Sequence, residues 1–254
     1  MKNATKRQLK KQDQFITFTE QGIHWADQNR RMAILVGVIA VAVTLLLVGG
    51  YSYYQSRSDA ATTAFGEAMQ TYQLPINDGS QPLPPGTKSF PDAKARAAAA
   101  NAQFVAVANR YGLTEDGKLA RYFSGVTYIE EGNYGAAETA LKMVAGSWNG
   151  EVAALGKQAL AGVYEQTGRN AQAEQLLEEI GKGHATTVPP YLAQVELGEL
   201  YQSEGKMAEA KRVWAQVQDK DKDAKGNPGP AAEIAKEKLN PQAAAAGPGV
   251  GPGQ

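Results

Sequence analysis

Apolar and polar positions are distributed along this chain in three different manners. From Met32 to Val48 it reads MAILVGVIAVAVTLLLV, without a charge and with Thr44 as the single hydroxyl. Adding Gly49, Gly50 and Tyr51 gives about 20 residues, which at a rise of about 1.5 Å each matches a hydrocarbon core of about 30 Å. Backbone polar groups at that depth must be satisfied within the segment, so a helix is predicted. Upstream, in residues 13–31, Phe15, Ile16, Phe18, Ile23 and Trp25 interleave with polar side chains. That pattern reads either as a short amphipathic helix on a membrane surface or as a loosely ordered tail. Downstream, residues 52–73 read as an outward continuation of the apolar helix. Pro75, Pro82, Pro84, Pro85 and Pro91 then interrupt any helix, because proline lacks the N–H that a helix interior needs. Helical periodicity resumes at Asp92 and runs to Tyr111, with Gly112 placed as a C-cap.

The third manner is an internal repeat. Three segments align without gaps: SGVTYIEEGNYGAAETAL from Ser124, LAGVYEQTGRNAQAEQLL from Leu160 and LGELYQSEGKMAEAKRVW from Leu197. Tyr128, Tyr164 and Tyr201 recur at spacings of 36 and 37, as do Gly132, Gly168 and Gly205, and Ala137, Ala173 and Ala210. Each unit reads as two helices joined by a short turn, with the glycine free to take a left-handed conformation there. The small pairs Gly125/Ala137, Ala161/Ala173 and Gly198/Ala210 let the two backbones approach. Tyr128/Leu141, Tyr164/Leu177 and Tyr201/Trp214 fill the space beside them. One such hairpin cannot bury its apolar stripe alone, so neighbours must stack.

This order of small residue, Tyr, Gly, Ala and large apolar residue is similar to the tetratricopeptide repeat. The resemblance covers residues 116–219, and residues 92–111 look like the second helix of a degenerate earlier unit. The chain departs from the pattern in its 36–37-residue spacing, against the usual 34, and in lacking a leading Trp. Extra turns at Ser147–Gly150 and Gly181–Val188 account for the added length. The expected fold class is therefore all-α: a single N-terminal transmembrane helix followed by an α-solenoid of tetratricopeptide-like hairpins. The layout has a basic head at 1–31 and a span at 32–54, then a helical extension and Pro-rich linker at 55–91. The repeat domain follows at 92–219. Residues 220–254 hold a capping helix at 230–239 and an Ala/Gly/Pro tail too poor in apolar surface to fold.

Charge orients this layout. The formal net charge is zero, which gives no reason to expect a nucleic-acid partner. Seven Lys/Arg nevertheless fall within residues 1–31, whereas only Arg57 falls in the twenty residues after the span. The positive-inside bias puts the N-terminus in the cytoplasm and residues 55–254 outside. The alternatives are a buried core helix and a cleaved signal peptide, whose basic head and apolar run are ordinarily shorter. There are no cysteines and only two histidines, His24 and His184, which the membrane would separate. Thiolate chemistry and a two-His metal site are excluded, and the Gly-rich tail lacks a phosphate loop's Lys-Ser/Thr. No catalytic constellation is read, and no cofactor or metal is expected.

Binding remains. By analogy with the repeat, a concave face lined by first helices would carry Tyr122, Val126 and Ile129, then Gln158 and Glu165, then Val195, Glu199 and Gln202. The apolar ones serve equally well as packing between units. The whole layout resembles the YfgM-like family of ancillary Sec translocon subunits. That resemblance implies a bacterial inner-membrane protein with a periplasmic domain that associates with translocon subunits, periplasmic chaperones and exported chains. Alternative readings are a structural adaptor for envelope assembly or cell division, and a cleaved, secreted repeat protein.

Overall fold

A computed structural model describes residues 29–79 and 84–241. The amphipathic segment up to Gln28, His24, Pro82 and the tail beyond Pro241 lie outside the described residues. The chain divides into two units, Met1–Ser56 and Arg57–Gln254.

Among the described residues the elements are helices: α1 (Arg30–Tyr72), α2 (Ala93–Tyr111), α3 (Glu115–Glu130), α4 (Tyr134–Ala145), α5 (Gly150–Gln166), α6 (Asn170–Gly181), α7 (Pro190–Ser203), α8 (Met207–Lys220) and α9 (Pro230–Leu239). In the first unit, α1 carries apolar side chains that the chain itself leaves uncovered, Leu46 being 76% exposed. It is long and apolar enough to cross a membrane. The hydroxyl of Thr44 donates to the Ala40 carbonyl at 2.8 Å, so the run's one hydroxyl is satisfied within the helix.

The second unit begins at Arg57, upstream of the residue 92 at which the sequence pattern begins the repeats. The reason is a cluster that no repeat motif announces. Ala61 and Ala68 of α1 are fully buried with Ala100, Phe104 and Val107 of α2, and Phe65 and Tyr72 pack on them. Phe104 and Phe123 stack at 5.3 Å, with the Phe65 ring 5.9 Å from Phe104 and 5.7 Å from Phe123. Residues 57–72 are thus the first helix of the degenerate unit whose second helix is α2. The Pro-rich connection between them is closed by a bridge of Ile76 to Phe90, with Asn77 N–H donating to Phe90 O at 2.8 Å.

From α2 to α9 each helix packs on its chain neighbours, and first helices also touch across units, α3 with α5 and α7 with α9. The turn glycines adopt the left-handed conformation expected of them, with φ of +80° at Gly132, +73° at Gly168 and +77° at Gly205. Gly112 instead caps α2 with φ of −57°. What requires glycine there is proximity, since a Cβ would lie 2.8 Å from the Ala108 carbonyl oxygen. Within hairpins, Gly125 lies under Leu141 with a would-be Cβ 2.5 Å from Cγ, and Gly198 abuts the Trp214 indole. Ala137, Ala161, Ala173 and Ala210 are buried beside them, as are Tyr164 and Tyr201, while Tyr128 is half-buried. A second register of small residues, Ala120, Gly156 and Ala193, recurs at the same spacings and is buried. At Gly156 a Cβ would meet Ala145 N at 2.6 Å, so this register lets each first helix close on the preceding second helix.

Candidate functional site

The first helices supply the candidate face because their residues at i, i+4 and i+7 share one side. Tyr122, Val126 and Ile129 on α3 follow that spacing, as do Val195, Glu199 and Gln202 on α7, and Gln158 and Glu165 lie seven apart on α5. The helices start where local chemistry lets them. The Asn149 side chain accepts from the N–H of Glu151 at 3.0 Å and of Val152 at 3.4 Å to cap α5. Pro190 opens α7 at a position where no N–H is needed.

The face has an apolar and an acidic part. On α3, Tyr122 and Ile129 are half-buried against the main core and Val126 is half-buried. Tyr122 meets Phe123 edge-on at 5.3 Å, and burial pushes its phenol above the ordinary tyrosine range. On α5 and α7, the Gln158 amide donates to the Glu196 carboxylate. Burial raises Glu196 above the usual carboxylate range, the Gln158 hydrogen bond lowers it, and the charges of Glu199 and Glu165 raise it further. Glu165 is raised by burial and then by Glu199. Neither Glu165 nor Glu196 forms an ion pair among the described residues, whereas Glu199 holds Lys238 Nζ of α9 at 2.5 Å. Gln202 is exposed. Val195 is only 4% exposed and its carbonyl accepts from Trp214 Nε1 at 3.2 Å, so it offers a partner little surface.

The structure therefore gathers Gln158, Glu165 and Glu199 with two residues that the repeat analogy did not single out. Glu196 was legible as the residue one helical turn before Glu199. Lys238 was not, since nothing local tells which carboxylate a capping-helix lysine will reach. Chemically, carboxylates that share a half-dry surface and lack a counter-ion favour a cationic group, which removes their mutual repulsion.

His184 lines a separate open groove of about 510 Å³ with Glu151, Lys157 and Glu179. Its charges are engaged. The Glu151 carboxylate accepts from Thr186 N at 2.8 Å and Thr187 N at 2.9 Å, the Thr187 bond foremost in holding it below its ordinary range, and Lys157 pairs with Glu179 at 2.8 Å. Among the described residues no group of three or more His, Asp or Glu is placed to hold a metal ion.

Comparison with known families matches the chain to the family described as tetratricopeptide repeat-like domain, over residues 24–241. The match begins ahead of the apolar run and so takes in the long first helix as well as the hairpins. No match was found among curated proteins or among solved structures.

Proposed function

We propose that this chain, which belongs to the tetratricopeptide repeat-like family, is a protein-binding scaffold tethered to a bacterial inner membrane by α1. The N-terminus is cytoplasmic and the repeat unit periplasmic. Its partners are the Sec translocon and periplasmic chaperones, and its clients are exported chains. The observation that carries the binding role is the first-helix face, where apolar Tyr122 and Ile129 are followed by the uncompensated carboxylates Glu165 and Glu196. Such a face suits an extended segment that mixes apolar and cationic side chains. Tethering raises the effective concentration of this face at an exit site, so that modest intrinsic affinity suffices.

The resemblance to ancillary translocon subunits supplies the partners, and the basic head supplies the orientation. A photo-crosslinking residue at Tyr122 or Ile129 in living bacteria tests the reading. Capture of translocon subunits together with newly exported chains is the expected result. Capture of one fixed envelope protein would replace it with an adaptor role. Protease added to spheroplasts should digest the repeat unit, and full resistance until lysis would reverse the orientation.

A further inference from the structure

Among the described residues of the repeat unit, the three most exposed large apolar side chains are Leu113 at 88%, Trp148 at 86% and Met143 at 57%. They belong to connections of one kind. Hairpins alternate direction, so the turns at Gly132, Gly168 and Gly205 lie at one end of the stack and the links between hairpins at the other. Leu113 sits in the link between α2 and α3. Trp148 sits in the link between α4 and α5, and Met143 in the last turn of α4. The links are tied together, since Asn149 Nδ2 donates to Glu115 Oε2 at 2.9 Å.

The chain joins the repeat unit at this same end. Arg57, the unit's first residue, donates to the Arg110 carbonyl and lies 4.9 Å from the Tyr111 ring centroid. The Thr62 hydroxyl bonds the Asp116 carboxylate. In the sequence the apolar run ends at Val48, and Tyr54 is only three residues before Arg57. If α1 spans a bilayer, the lipid surface is within a few residues of this end, and at most about 3.5 Å of chain separates each residue from the next.

We propose that this end of the repeat unit rests in the headgroup layer of the membrane, with Trp148, Leu113 and Met143 as interfacial anchors. The inference rests on the membrane-spanning reading of α1 given above. Trp is the side chain best suited to that layer, with an apolar ring and a polar N–H. The charges nearby fit as well. Lys118 Nζ lies 4.4 Å from the Trp148 ring centroid. The same ammonium pairs with Glu115 at 2.9 Å and is only 13% exposed, so the carboxylate beside the ring is already neutralised. Such a contact would restrain how the scaffold tilts on its tether, and so where its binding face is held.

The chain's lack of cysteine makes a direct test available. Full-length L113C, W148C, Q166C and L46C variants are each spin-labelled. They are reconstituted into vesicles of phosphatidylethanolamine and phosphatidylglycerol, and collisions with oxygen and with a water-soluble nickel chelate are measured. Positions 113 and 148 are expected to show severalfold less nickel contact than Gln166, which lies at the other end of the stack, and position 46 should see oxygen only. Nickel exposure at 113 and 148 equal to that at 166, with position 46 in lipid, overturns the proposal and leaves the tether standing. Nickel exposure at 46 overturns the tether itself. Protection of 113 and 148 in native membranes but not in vesicles would assign the patch to a protein partner and likewise overturn the lipid contact.

Discussion

Gly198 and Trp214 meet across the third hairpin with no room for a Cβ, because a methyl group at 198 would fall on the indole Nε1 edge. That edge cannot retreat freely, since Nε1 donates to the Val195 carbonyl at 3.2 Å and the side chain is almost fully buried. In the first hairpin the corresponding contact is Gly125 beneath Leu141. The repeat thus holds its two helices together by matching an absent side chain with a large one.

Two glycine substitutions should therefore have opposite signs. Gly198→Ala gains about 1 kcal/mol of helix propensity but overpacks the core at a cost of about 1–3 kcal/mol, for a net loss of up to about 2 kcal/mol. Gly162 on α5 is exposed and has nothing within 4 Å of a would-be Cβ. Gly162→Ala should stabilise by about 0.5–1 kcal/mol. Urea unfolding of both variants decides the matter. A Gly198→Ala protein as stable as the parent would show that the indole can move aside.

Glu138 links two hairpins. Arg169 grips its carboxylate with both nitrogens at 3.0 and 2.9 Å, and Lys142 adds a contact at 2.7 Å. The Arg169 and Lys142 hydrogen bonds lower the Glu138 pKa from 4.5 to about 2. A depressed folded-state value stabilises above the unfolded value, so this contribution is complete above pH 4.5 and is lost as pH falls toward 2. Glu138→Gln should cost about 0.5–1 kcal/mol at neutral pH, the upper range for a solvent-accessible pair of good geometry. The difference from the parent should close across that window in unfolding curves measured at successive pH values.

Glu196 should behave in the contrary sense. Its carboxyl is raised chiefly by burial. A raised acid favours folding below its unfolded value, and that contribution is lost as pH rises through the folded value. At neutral pH the charge is therefore a small burden on the fold. Glu196→Gln keeps an acceptor for Gln158 and should leave stability unchanged or raise it by up to about 0.5 kcal/mol. The same change should weaken capture of a cationic peptide in titration calorimetry. A variant that binds such a peptide as well as the parent would remove Glu196 from the binding face.

The aromatic cluster predicts where the repeat unit can be cut. A chain starting at Arg57 keeps Ala61, Phe65, Ala68 and Tyr72 over Phe104 and Phe123, and should fold with full helicity. A chain starting at Ala93 uncovers those two rings and should melt lower and lose α2 and α3 first under limited proteolysis. Equal protease resistance of the two would show that residues 57–72 are dispensable.

Much of this architecture can be read without coordinates, and the reason differs from residue to residue. Gly132, Gly168 and Gly205 announce their turns because only glycine accepts their positive φ without a Cβ clash. The small and large positions around Ala137, Ala173 and Ala210 declare a helical hairpin because steric fit is set by residue size at fixed helical spacing. Residues 57–72 carry no such signature. They read as an extension of the apolar helix, and their place beside α2 depends on a contact closed across a Pro-rich connection. On the candidate face the spacing separates first-helix positions from the rest, yet it does not distinguish the buried Val195 from the exposed Gln202.

The sequence by itself determined the apolar run, the repeat period, the turn glycines and the all-helical class. Each depends on interactions within about one helical turn or on a pattern that repeats. Only the tertiary structure decided that the repeat unit starts at Arg57. It also decided that Glu196 and Lys238 join Gln158, Glu165 and Glu199, and that Leu113, Trp148 and Met143 gather at the end where the chain joins the unit. These follow from which segments the antiparallel stacking brings together. Such contacts lie tens of residues apart, where neither propensity nor periodicity reaches.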